Sequence, residues 1–62
     1  MTHEEAKTLK IGDVVQMNSG GPQMTVAKKE HNFITCFYWF EAENIFKNTT
    51  QDYAMLTLIN QG

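Results

Sequence analysis

Eight consecutive residues, Phe33-Ile34-Thr35-Cys36-Phe37-Tyr38-Trp39-Phe40, carry no charge, no glycine and no proline, and all but Cys36 are aromatic or β-branched. That composition predicts a β-strand. Side chains alternate across a strand, so Ile34, Cys36, Tyr38 and Phe40 share one face, and Phe33, Thr35, Phe37 and Trp39 share the other. In a barrel one face fills the interior and the other meets solvent. Here both faces are largely apolar. A chain of 62 residues buries only about 60% of the surface its unfolded form exposes. Its strongest strand therefore offers more apolar surface than one small core absorbs.

The rest of the chain supplies strands and turns around this one. Thr2 with Glu5 three positions on forms a capping-box pattern, and Glu4 and Glu5 suit a helix N-terminus, so residues 1–10 read as a lead-in with a short helical turn. Val14–Met17 reads as a first strand, and Asn18-Ser19-Gly20-Gly21-Pro22 as dense turn chemistry. Gln23–Lys29 alternates as a second strand, His31-Asn32 reverses the chain, and Phe33–Phe40 follows. Glu41-Ala42-Glu43 is a turn, Asn44–Lys47 a fourth strand, and Asn48–Asp52 a loop. Tyr53–Met55 reads as a single helical turn before a last strand, Leu56–Ile59. Five short strands at this spacing predict an all-β chain, a small five-stranded antiparallel barrel over residues 11–60 within a single domain of residues 1–62.

Bulk properties narrow the function classes. One cysteine, Cys36, cannot close an internal disulfide, so a stapled secreted mini-protein is excluded and a cytoplasmic setting is expected. No run approaches the roughly 20 apolar residues that span a bilayer, and the acidic start does not read as a signal peptide, so no membrane partner is expected. Five lysines and no arginine face seven carboxylates, for a formal net charge of −2. Phosphate-neutralising proteins carry a basic stripe that is missing here, which disfavours nucleic acid.

The stretch Gly12-Asp13-Val14-Val15-Gln16-Met17-Asn18-Ser19-Gly20-Gly21-Pro22-Gln23-Met24-Thr25-Val26 resembles the YodC-like small proteins of bacteria and phages, a family of unknown function. Their pattern is Gly-Asp-Val-Val, a short gap, Ser-Gly-Gly-Pro, one residue and Met-Thr-Val. Ile34-Thr35-Cys36 matches a later segment, and Tyr53 with Leu58 matches the last. The family usually has tryptophan two positions after the cysteine; here Tyr38 holds that place and Trp39 follows. This leaves open which of the two faces the core. The resemblance covers roughly residues 10 to 60 and implies an SH3-like barrel with a short N-terminal helical turn. It brings no catalytic residues.

Individual motifs rate as follows. Ser19-Gly20-Gly21-Pro22 reads first as a hairpin that needs glycine for steric reasons. Its alternative role is a loop whose backbone N–H groups cradle a small anion. No Lys-Ser/Thr follows, so a Walker-type nucleotide site is not indicated. Cys36 reads as a buried small hydrophobe, and His3 and His31 lack the companions of a zinc site. Asp13 beside Gly12 reads as a turn cap, Glu41 and Glu43 as a solvated turn, and Lys28-Lys29-Glu30 as a charged strand end that discourages edge aggregation. No nucleophile, base and orienter assemble from these residue types, so no enzyme activity, metal or cofactor is expected.

Phe33, Phe37 and Trp39 are the candidate contact residues. Either Leu9 and Ile11 of the lead-in cover them, or they form an interface, whose centre favours aromatics over charges. The expectation is a non-catalytic binding module, a homo-oligomer built around these rings, that recognises a protein partner through the aromatic strand and loops. The first alternative is an oligomeric sequestering protein that holds an anionic or nucleotide-like small ligand at the Ser19–Pro22 loops, an anti-defence role by analogy with phage relatives. The second is a weak nucleic-acid binder, since small β-barrels often serve that end.

Overall fold

The structure, a computed structural model, describes residues 1–61. Helix α1 (His3–Thr8) opens with the expected capping box: Thr2 Oγ1 accepts the Glu5 N–H at 3.2 Å, and Glu5 Oε1 accepts the Thr2 N–H at 2.9 Å. Six residues are too few to hold a helix in water. Tertiary contacts do so. Lys29 Nζ donates to the carbonyls of Ala6 (2.9 Å), Lys7 (3.4 Å) and Leu9 (3.0 Å), where the negative end of the helix attracts a cation. The Met1 amino group donates to the carbonyls of Tyr53 and Leu56, and Leu9 enters the core.

Five strands follow: β1 (Val14–Met17), β2 (Met24–Glu30), β3 (Phe33–Phe40), β4 (Ile45–Asp52) and, after a 3-10 turn at Tyr53–Met55, β5 (Leu56–Asn60). They form one antiparallel sheet in the order β4-β3-β2-β1-β5. Gly20 and Gly21 take φ of +110° and +96° between β1 and β2, a region that side chains with a Cβ rarely enter. Asn44 closes the β3–β4 turn at φ 57°, which asparagine tolerates better than most residues. The core gathers Leu9, Val15, Met24, Val26, Ile34, Cys36 and Leu56 on one face of the sheet.

One irregularity decides which lysine does what. Val26 pairs with Cys36, but Lys28 pairs with Thr35, so Ala27 is an extra residue on β2. Such a bulge reverses the alternation beyond it. Lys29 therefore shares the side of Ile34 and reaches α1, while Lys28 and Glu30 face outward and pair at 3.1 Å. The reading of Lys28-Lys29-Glu30 as one plain charged strand end is corrected on this point.

Two further expectations change. The barrel is not closed: the strand order leaves β4 and β5 as edges, and among the described residues they do not pair with each other. Closure requires every edge to find a partner, and here β4 is engaged along β3 alone while β5 returns to β1. The predicted loop Asn48–Asp52 is strand, because Thr49, Thr50 and Gln51 continue the ladder as far as Phe33↔Asp52. Cross-strand hydroxyls support it, with Thr35 and Thr50 Oγ1 atoms 2.9 Å apart.

Candidate functional site

The outer face of the sheet, opposite the core, collects four exposed rings. Phe33, Phe37 and Trp39 are 53%, 43% and 46% exposed, and Phe46 on β4 is 69% exposed. Register explains the fourth ring. Phe46 lies opposite Trp39, and the two meet edge to face with centroids 5.0 Å apart. Sequence reasoning missed Phe46 because a lone ring in a short polar strand shows no face until its partner strand is known.

The surroundings of these rings are graded. Phe37 lies between Thr25 on β2 and Asn48 on β4, both neutral, and Trp39 lies beside Phe46. Charge stands at the margins: Glu30 and Asp52 flank Phe33, where the Lys28–Glu30 pair lies, and Glu41 and Glu43 follow Trp39 in the β3–β4 turn. An uncharged aromatic centre with charge at its margin is the make-up of a protein contact surface.

Among the described residues, neither side chain expected as a cover lies over this face. Leu9, one of the two residues expected as a cover, is buried in the core, and Ile11, the other, is 74% exposed. Helix α1 packs by the 3-10 turn and Lys29, on the core side of the sheet. Phe33, Phe37 and Trp39 thus stand together on one face, as the alternation predicts. The choice between Tyr38 and Trp39 is also settled: Tyr38 packs against the core and Trp39 points away from it.

The inner face is less open. Met17, Pro22, Met24, Tyr38, Phe40, Thr49 and Gln51 line a shallow, mostly apolar hollow of about 300 Å³ at the uncovered end of the sheet. Lys47 Nζ sits 4.3 Å from the centre of the Phe40 ring and 2.7 Å from Glu43 Oε1.

The Ser19–Pro22 loop is committed to its own turn. The Gly20 N–H donates to Met17 O at 2.9 Å, and Gln16 Nε2 donates to Gly21 O at 2.6 Å. The first contact uses one of the loop's backbone donors, and the second takes a carbonyl. Asp13 is a structural residue: it is 4% exposed, and its Oδ2 accepts the Lys10 N–H at 2.9 Å. Beside it the Gly12 N–H donates to Val26 O, and the Val26 N–H to Asp13 O, both at 2.9 Å. Gly12-Asp13 thereby extends the β1–β2 pairing and caps the entry to β1. Burial pushes the Cys36 thiol up, away from the thiolate that nucleophilic chemistry needs. His3 meets Tyr53 in a tilted contact, with centroids 5.9 Å apart. Among the described residues no group of three His, Cys, Asp or Glu gathers as a metal site would require, and no helix is long and apolar enough to cross a membrane.

These features define a small five-stranded β-sheet protein with one helix and one uncovered aromatic face. Residues 10–55 match the model of a family described as an uncharacterized small protein (DUF2158), and the chain belongs to that family. The match takes in the Gly12–Val26 motif and both strands that carry the rings, β3 and β4. No curated protein and no solved structure matches the chain.

Proposed function

We propose that this chain is a non-catalytic binding module that self-associates and takes a protein partner on its outer aromatic face. The observation that carries the reading is the row Phe33, Phe37 and Trp39, extended by Phe46 and left exposed among the described residues. Aromatic rings at an interface centre supply large area at low entropic cost. The size of the core supports self-association. Among the described residues seven apolar side chains are buried, and cores of chains this short rarely yield more than about 3–5 kcal/mol unaided. The open sheet and its strand order are compatible with an SH3-like barrel that lacks its closing pairs, and the Gly12–Val26 motif with the YodC-like subgroup; both are the finer form of this proposal.

Sedimentation and partner capture test it together. Wild type sediments above the 7.1 kDa of one chain at high micromolar concentration, and Phe37→Ala keeps its strand content while losing partner capture. A 7.1 kDa species throughout, or capture indifferent to Phe37, contradicts the reading.

A further inference from the structure

Strand β4 is an edge built without the usual defences. Natural sheets blunt their edges with short strands, bulges, prolines and free charges. The β5 edge follows that rule: it has five residues, and its pairing with β1 shifts register between Val14 and Val15. The β4 edge does not. It runs eight residues, Ile45–Asp52, with no proline and with unbroken register against β3. Its one cation, Lys47, is held by Glu43 and the Phe40 ring.

The direction of its free backbone groups follows from the ladder. The Tyr53 N–H bonds Asn32 O at 3.0 Å, in the same register as the β3–β4 pairs. Bonded and non-bonded pairs alternate in an antiparallel ladder. Counting from that bond, Gln51, Thr49, Lys47 and Ile45 bond to β3, and the N–H and C=O of Phe46, Asn48 and Thr50 point out of the sheet.

We propose that two copies of this chain pair antiparallel along β4, about a two-fold axis near Asn48 and Thr49. The inference rests on the self-association proposed above and moves the self-contact from the rings to the strand beside them. A second copy is the occupant because β4 is complementary to itself. Centred on Asn48, Lys47 lies opposite the second copy's Thr49; centred on Thr49, it lies opposite the second copy's Gln51. No like charges lie directly opposite each other in either register, and the Thr49-centred one also keeps the two Lys47 side chains off the diagonal. The two sheets become one, since the axis stands perpendicular to the sheet and keeps both outer faces on the same side. The rings of both copies then form one platform for the protein partner.

Asn48→Pro tests this. The Asn48 N–H points away from β3, so proline there removes no hydrogen bond within one chain, as edge strands permit. The expected result is a monomeric Asn48→Pro with wild-type strand content, its dimer dissociation constant raised at least about tenfold, while Trp39→Ala remains dimeric. A dimeric Asn48→Pro overturns the proposal, and so does a dimer lost on Trp39→Ala alone, which would place the contact on the rings. Should Asn48→Pro fail to fold, amide exchange in wild type decides. Protection of the Phe46, Asn48 and Thr50 amides that rises with concentration supports pairing, and protection independent of concentration overturns it. Partner capture by wild type and Trp39→Ala is a separate readout, so the aromatic-face reading stands or falls independently.

Discussion

Trp39 and Phe46 face each other across the β3–β4 ladder with ring planes at 72° and centroids 5.0 Å apart, on the side of the sheet away from the core. The contact joins two exposed residues, so it organises the surface more than it holds the fold.

A double-mutant cycle measures it. Trp39→Ala and Phe46→Ala each cost less than about 1.5 kcal/mol in urea unfolding, and their coupling is about 0.5–1 kcal/mol, the lower part of the roughly 0.5–1.5 kcal/mol range for aromatic pairs, as an exposed contact should give. Ile34→Ala, at a fully buried site, costs about 2–5 kcal/mol in the same assay. Equal losses at Trp39 and Ile34 would mean that the outer rings belong to a core.

Lys29 joins the sheet to α1 by three carbonyls. Lys29→Met keeps the apolar stem and removes the donors, and its expected effect is fraying of α1 with a loss of about 1 kcal/mol. Lys28→Met, on the solvent side, changes stability by less than about 0.5 kcal/mol, as exposed pairs do. Amide exchange at Ala6 to Leu9 separates the two variants.

The contrast between these lysines also shows what a sequence reveals. Strand β3 was legible because its period of two is written in its apolar residues, and the Thr2–Glu5 cap because its spacing is local. The bulge at Ala27 was not, since no residue there forces an insertion; only the pairing of Val26 with Cys36 and Lys28 with Thr35 discloses it. The outer half of β4 was hidden by polarity: Asn48-Thr49-Thr50-Gln51-Asp52 has loop composition, yet β3 offers it backbone partners and a hydroxyl at Thr35. The position of Phe46 follows from that register, so the fourth ring of the candidate site was hidden with it. Barrel closure failed as an expectation for the same reason, because alternation tells which residues face inward and not which strands meet.

Acid releases the helix cap only below the ordinary carboxylate range. The Thr2 N–H bonded to the Glu5 carboxylate holds that carboxyl below its usual range, and the Lys28 ammonium does the same for Glu30. A depressed folded value means that the contribution is full above the unfolded pKa and disappears as pH falls through the folded one. Helical signal from α1 is therefore expected to be constant from neutrality down to the ordinary carboxylate range and to fall below it. Glu5→Gln retains a capping residue and removes the titration, so the Thr2 amide shift becomes flat with pH. A Thr2 amide that titrates unchanged in Glu5→Gln would contradict the assignment.

Cys36 reports on opening of the core. It is fully buried, and burial raises its thiol, so a disulfide reagent reaches it only through unfolding. Labelling of the folded chain is expected to be slower than in urea by at least about a hundredfold, in line with a stability of a few kcal/mol. Core-loosening Ile34→Ala accelerates it, whereas Trp39→Ala leaves it nearly unchanged. Rapid labelling of the folded wild type would contradict the core assignment.

The most direct measurement of the central claim is quantitative capture from native lysate on immobilised wild type beside Trp39→Ala, read by mass spectrometry with strand content checked in both. The account predicts a protein retained by wild type and reduced at least about tenfold on Trp39→Ala, a loss of 1.4 kcal/mol or more in binding. Equal retention by both proteins, or no protein retained by wild type above a blank surface, would contradict it.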